Sequence, residues 1–65
     1  MTYHTTFRGD DAQVNADALS NLLGERGIAS ATEPVDKCLR VVYDATDAQF
    51  TELFQAMAAV GIGYP

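Results

Sequence analysis

The chain has 65 residues, of which 48% are hydrophobic and 20% charged, and four Lys and Arg against nine Asp and Glu give a formal net charge of −5. This composition is typical of a folded domain, and the length allows one core, so we expect a single acidic domain over residues 1–65. The negative charge repels nucleic-acid phosphates and anionic lipid, which argues against direct binding to either and favours basic partners.

The first predicted elements are a strand and a helix. Along residues 3–8 the chain alternates one set of side chains, Tyr3, Thr5 and Phe7, with a second set, His4, Thr6 and Arg8, the period of two that predicts a half-buried strand. Asp10 and Asp11 offer capping carboxylates to a helix that we expect to run from about residue 11 or 15 to residue 26, with Asn15 as the second candidate N-cap. Gly27 suits the left-handed position just past the end of that helix.

Two further strands and a second helix follow. Residues 28–32 predict a weaker strand, residues 33–36 a turn, and residues 38–43 a strand rich in β-forming side chains. Thr46 and Gln49 have the spacing of a capping box, in which each side chain satisfies a backbone donor of the other residue. We expect Gly61 to end the second helix. The expected buried stripe of this helix comprises Phe50, Leu53, Phe54, Met57 and Val60.

The fold class follows from an internal echo at an offset of 34 residues. The echo matches Asp10 with Asp44, Leu19 with Leu53, Leu23 with Met57, and Gly27-Ile28 with Gly61-Ile62. The order β-α-β-β-α, with residues 62–65 as a vestigial fourth strand, predicts a small ferredoxin-like α+β sandwich whose two helices share one face of an antiparallel sheet. Tyr3, Thr5, Phe7, Leu39, Val41 and Tyr43 should face the helices, leaving His4, Thr6, Arg8, Cys38, Arg40 and Val42 on the open face.

No set of residues in the sequence predicts catalysis. The single histidine, His4, has no nucleophile placed beside it by sequence, and the single cysteine, Cys38, has only Arg40 nearby to activate it. Glycine-rich phosphate loops and zinc-finger spacings are absent. We therefore expect a protein that is not an enzyme and has no cofactor.

The N-terminal residues lack the basic and apolar segments of a signal peptide, and no apolar stretch approaches the roughly 18 residues needed to span a bilayer. With one cysteine there is no internal disulfide, which fits a reducing compartment. We expect a cytoplasmic protein without a membrane segment.

Carboxylates form the most informative polar pattern, and the expected fold divides them between two ends of the sheet. The candidate partner-binding residues are Asp10, Asp11, Glu33 and Asp36 at one end, our first choice, and Asp44 and Asp47 at the other. An alternative interpretation is that those near helix starts serve only as caps, because carboxylates are favoured there whatever the function. A carboxylate metal site is a third interpretation, although EF-hand spacing is absent.

The chain is small and acidic, lacks catalytic groups and carries these six carboxylates. In these features it resembles the small phage proteins that inhibit bacterial defence, in particular anti-CRISPR proteins acting on type I effector complexes. The resemblance is one of overall character and rests on no motif. It implies that the chain binds a basic, nucleic-acid-binding surface of a Cas protein in the bacterial cytoplasm, where spaced carboxylates stand in for phosphates and block target DNA.

A second hypothesis comes from residues 18–29, A-L-S-N-L-L-G-E-R-G-I-A, which resemble the first helix and turn of ACT domains. That resemblance implies a small ligand-binding regulatory module. The D-x-P-G turn of those domains is replaced here by Gly9-Asp10-Asp11-Ala12, and no enzyme is attached. A homodimer formed through exposed strand edges is compatible with either hypothesis, so we expect a monomer or a weak homodimer.

Overall fold

The computed structural model describes residues 1–62, and these residues form an α+β domain. Its elements in chain order are β1 (Thr2–Phe7), α1 (Ala12–Glu25), β2 (Ser30–Val35), β3 (Cys38–Asp44) and α2 (Asp47–Ala59). The strands form an antiparallel sheet in the order β1-β3-β2, so the chain crosses from one edge to the other through α1 before β3 fills the centre. The expected fourth strand falls mainly on residues 63–65, which lie outside the described residues.

One core unites both helices with one face of the sheet. Phe7, Val41 and Tyr43 are buried on this face, and Tyr3 and Leu39 pack against them, as the alternation in the sequence predicts. On the opposite face His4 is exposed, and no strand residue is fully buried. The helices supply the largest buried side chains, which are Leu19, Leu23, Leu53 and Met57.

The buried stripe of α2 is narrower than the sequence suggests. Leu53 and Met57 are fully buried and Phe50 is partly buried, whereas Phe54 is 49% exposed and Val60 is 60% exposed. The inclusion of Phe54 and Val60 in the stripe was therefore wrong. Phe54 is one residue from Leu53 and points about 100° around the helix axis, away from the core, while Val60 lies beyond the last helical residue.

Both helices end in the same hydrogen-bonded motif. After α1, the amide of Ile28 donates to the Leu23 carbonyl at 2.9 Å across Gly27, whose φ of 71° is left-handed. After α2 the corresponding residues, Met57, Gly61 and Ile62, repeat this geometry with a 2.9 Å bond and a φ of 79°. These are Schellman motifs, in which glycine avoids the cost of a left-handed conformation and an apolar residue closes onto the last turn. The echo in the sequence therefore corresponds to a repeated helix end.

The two helix starts differ. The capping box of α2 is confirmed, because the Gln49 amide donates to Thr46 Oγ1 at 3.2 Å and the Thr46 amide donates to Gln49 Oε1 at 2.9 Å. At the start of α1, Asp11 occupies the N-cap position, but its side chain makes no capping hydrogen bond. Asn15 lies inside α1, so the alternative start at that residue was wrong.

The β2–β3 hairpin also departs from expectation, because residues 33–35 belong to β2 and the turn has two residues. Asp36 and Lys37 have φ values of 48° and 65°, both left-handed. Left-handed residues at both central positions define the type I′ turn, whose twist matches that of the flanking strands. The predicted strand over 28–32 and turn over 33–36 were therefore displaced toward the N-terminus.

Pro34 fits inside β2 because its nitrogen points away from the sheet. Met1 and Ala45 exchange both backbone N–H···O bonds, each 3.0 Å long. Bonded pairs recur every second residue in an antiparallel ladder, so Leu39 turns its main chain toward β1. Pro34 is paired with Leu39 from the other side, so its missing N–H removes no ladder bond.

Candidate functional site

All six candidate carboxylates belong to exposed residues, and the sheet separates them into two groups. We call the end that carries the Asp36–Lys37 turn the hairpin end and the opposite end, where Thr2 pairs with Asp44, the far end. The hairpin end carries Asp10, Asp11, Glu33 and Asp36, and the far end carries Asp44 and Asp47.

Positive charges offset the carboxylates at the hairpin end. Glu33 lies in β2 opposite Arg40, and its Oε1 is 3.6 Å from Arg40 Nη1. Arg8 directly follows β1, and Lys37 is the turn residue next to Asp36, so three of the chain's four Lys and Arg lie at this end. An exposed pair such as Glu33–Arg40 contributes under about 1 kcal/mol to stability, but it reduces the negative potential of the cluster.

Hydrogen bonds from β1 hold the carboxylates of the far end in place. The Thr2 hydroxyl donates to Asp44 Oδ1 at 2.6 Å, and the Tyr3 hydroxyl donates to Asp47 Oδ1 at 2.7 Å. Within residues 1–62 neither carboxylate forms an ion pair. Each carboxylate therefore has a second oxygen that these two hydrogen bonds leave available to a partner.

Aromatic packing holds Tyr3, whose hydroxyl donates to Asp47, in position. The ring of Tyr3 stacks on that of Phe50 with 4.3 Å between centroids and a 10° interplanar angle, and it also packs on Tyr43 at 6.0 Å. The hydrogen bond to Asp47 raises the pKa of Tyr3, because ionising the phenol would break that bond and place a second negative charge beside the carboxylate. The donor thus stays protonated at physiological pH.

The other tyrosine of the cluster, Tyr43, is buried with its hydroxyl inside the core. Burial raises the pKa of Tyr43, since the phenolate would lose its solvation, while the neighbouring Thr5 side chain acts in the opposite direction. The hydroxyl makes no hydrogen bond of standard geometry within the described part of the chain. This hydroxyl is enclosed by the core and does not reach the surface.

The two residues with nucleophilic or acid–base potential are far apart. His4 pairs with Val42, which lies four residues along β3 from Cys38, a separation of about 13 Å at the usual rise of a strand. The Cys38 thiol donates to the Asp36 carbonyl at 3.5 Å. These side chains are therefore not placed to act together.

Within residues 1–62, no group of three or more His, Cys, Asp or Glu is arranged to hold a metal ion. Neither helix there is long and apolar enough to cross a membrane.

Sequence reasoning identified these carboxylates but not their partners. A signal for the Glu33–Arg40 pair is available, since the two residues are equidistant from the Asp36–Lys37 turn and so must face each other in a two-residue hairpin. The bonds from Thr2 and Tyr3 join residues 42 and 44 positions apart and have no local signal. Comparison of the chain with known protein families, curated proteins and solved structures finds no match.

Proposed function

We propose that the chain is a non-enzymatic binding protein whose acidic surface occupies a basic, nucleic-acid-binding surface of a larger protein. The observation that carries the proposal is the fixed carboxylate pair of the far end, Asp44 and Asp47, each held by a hydrogen bond from β1 and neither paired with a cation in residues 1–62. A fixed, exposed carboxylate loses little conformational freedom on binding, so more of its interaction energy appears as affinity.

The distribution of charge supports the far end over the hairpin end. Arg8, Lys37 and Arg40 offset the carboxylates of the hairpin end, so most of the net charge of −5 arises elsewhere in the chain. Around the far end the described cations are Arg26, which is bound to Glu52 with 3.3 Å between Nε and Oε1, and the Met1 ammonium, which donates to the Ala45 carbonyl at 3.0 Å. We therefore place Asp44 and Asp47 first and Asp10, Asp11, Glu33 and Asp36 second.

The partner class follows from charge complementarity. Clusters of Lys and Arg that bind nucleic-acid phosphates also attract carboxylates, and the attraction accelerates association and weakens with salt. The resemblance to anti-CRISPR proteins makes a Cas effector subunit in the bacterial cytoplasm the first partner to test, with inhibition of DNA binding as the activity.

The finer fold assignment belongs to the same proposal. The order β1-β3-β2 with a helical crossover from β1 to β2 supports a ferredoxin-like arrangement whose fourth strand is vestigial. Such a compact scaffold would hold the carboxylates at the strand ends on rigid elements.

The test measures DNA binding by a purified type I effector complex in the presence of the wild-type chain and of charge-neutral variants. Asp44→Asn with Asp47→Asn retains an oxygen that accepts the bonds from Thr2 and Tyr3 but removes both charges. If the two carboxylates meet desolvated cations, each should contribute about 2–5 kcal/mol, so the double variant should lose about 4 kcal/mol or more, which is about 700-fold or more in inhibition. Raising the salt concentration should weaken the wild type steeply.

Asp17→Asn is the matched control, because it removes one exposed carboxylate on α1 that takes part in a hydrogen bond from Gln13. It should retain inhibition within about twofold, since an exposed charge contributes under about 1 kcal/mol. Absence of inhibition by the wild type, together with no salt-sensitive capture of a basic protein from bacterial lysate, would contradict the proposal. Thermal stabilisation by a free amino acid would instead support the ACT-like module.

A further inference from the structure

The outer edge of β1 presents its main-chain groups in a regular row. Because Met1 and Ala45 are a bonded pair, the bonded pairs of the ladder continue at Tyr3, Thr5 and Phe7. The N–H and C=O groups of Thr2, His4 and Thr6 therefore point away from β3. No strand among residues 1–62 pairs with this edge.

The two edges of the sheet are protected very differently. The outer edge of β2 contains Pro34, which has no N–H to offer, and β2 also carries the charged Glu33. Proline and charged side chains on an edge strand are features that prevent another strand from adding to it. β1, with the sequence TYHTTF, contains no proline, glycine, Lys, Arg, Asp or Glu. Within residues 1–62 the sheet is therefore closed to additional strands at β2 and open at β1.

We propose that β1 pairs in antiparallel register with β1 of a second copy of this chain, around a two-fold axis at His4. In this register each outward-pointing residue bonds to one in the partner, Thr2 to Thr6 and His4 to His4, and Tyr3 lies opposite Thr5. All outward N–H and C=O groups of the three residues are satisfied, and the two three-stranded sheets become one sheet of six strands. The inference is independent of the proposed function, because it uses main-chain groups rather than carboxylates.

Charge at the two ends of β1 favours a copy of the chain as the occupant. Arg8 directly follows β1 at the hairpin end, and Asp44 binds the Thr2 hydroxyl at the far end. An antiparallel pair brings the hairpin end of each copy next to the far end of the other, so Arg8 of one copy approaches an end where the other carries Asp44, Asp47 and the Met1 ammonium. The two carboxylates outnumber that ammonium, which donates to the Ala45 carbonyl, so the far end stays negative toward Arg8. Between these ends the paired segment carries no formal charge at pH 7, so like charges do not meet there.

The first test is sedimentation equilibrium from micromolar to millimolar concentration, combined with amide exchange. The contact is short and belongs to the weak class of interfaces, so a shift from the 7.0 kDa chain mass toward twice that value is expected in the upper part of the range. Over the same range the amides of Thr2, His4 and Thr6 should slow at least tenfold, while those of Tyr3 and Thr5 are protected at every concentration. A chain that keeps its single mass and the same exchange pattern up to millimolar concentration overturns the proposal.

Two variants test the register itself. His4→Glu places two carboxylates opposite each other at the axis and should weaken the dimer at least tenfold. Thr6→Pro removes an outward N–H and should do the same without loss of a β1–β3 bond, as Pro34 does in β2. Thr32→Glu adds a negative charge on the exposed β2 edge and should leave the dimer unchanged within about twofold.

Circular dichroism spectra and melting temperatures close to those of the wild type show that each variant is folded. Equal weakening by Thr32→Glu and His4→Glu overturns the proposed edge. Slow exchange of the outward amides only after a different protein is added overturns the second copy as the occupant.

Discussion

Truncation of Leu53 is the most direct test of the core, because this side chain is completely buried in the middle of α2 and belongs to the core cluster shared with α1 and the sheet. Leu53→Ala removes three carbon atoms and leaves a cavity, a change that costs about 2–5 kcal/mol in well-packed cores. At about 0.05–0.15 kcal/mol per residue, a chain of 65 residues has about 3–10 kcal/mol of stability in total. The variant should therefore be partly unfolded or close to it at 25 °C.

The assay is urea denaturation followed by far-ultraviolet circular dichroism, since the chain has no tryptophan. With a slope of about 1 kcal/mol per molar urea for a small domain, the midpoint should fall by about 2 M or more. Val60→Ala is the control, because this side chain is 60% exposed and its truncation should change stability by no more than about 0.5 kcal/mol. A loss below about 0.5 kcal/mol for Leu53→Ala would refute the packing described for α2.

Three further outcomes are expected. Gly24→Ala should stabilise the domain by about 0.5–1 kcal/mol, since Gly24 lies inside α1 with open space where a Cβ would lie. Gly27→Ala should destabilise the domain by a similar amount or more, because the φ of Gly27 is 71°. The same urea titrations measure both changes. Lys37→Gly should raise the melting temperature, because φ is 65° at that turn position. Asp47→Ala, which removes both the acceptor and the charge, should bring the pKa of the Tyr3 phenol down toward its ordinary value in an ultraviolet titration, and since that pKa is raised in the folded chain, wild-type stability should fall as pH rises through it.

The helices and the α+β class were predictable because their signals are local. The capping box at Thr46 and the Gly-Ile steps after each helix specify hydrogen bonds within a few residues, and the structure contains them. The predicted bounds of β2 were wrong because Pro34, judged from its local sequence, indicates a turn. Its outcome depends on whether the strand lies at an edge and on which way residue 34 points, and both depend on pairing with β3.

The candidate site was predictable to the level of residue type and sheet end. The six carboxylates were identified from the sequence, but their ranking depended on contacts that only the folded chain creates. Glu33 is set against Arg40 across the hairpin, whereas Asp47 is fixed by a tyrosine 44 residues away. A chain can thus carry the same residue type in two places where one is offset by cations and the other is fixed by hydrogen bonds.

β1 connects the two proposals and also allows them to be separated. Its Thr2 and Tyr3 side chains hold the carboxylates of the far end, while its outward main chain forms the proposed dimer edge. The Asn substitutions at residues 44 and 47 remove charge and leave the outward N–H and C=O groups in place, and His4→Glu alters the axis and leaves both hydrogen bonds from β1 intact. Loss of inhibition in the first variant with an unchanged dimer, and loss of the dimer in the second with inhibition retained at low concentration, would establish the two surfaces as independent. Loss of both properties in either variant would mean that the partner binds the paired form, in which two copies of the Asp44 and Asp47 pair are presented at opposite ends of one continuous sheet.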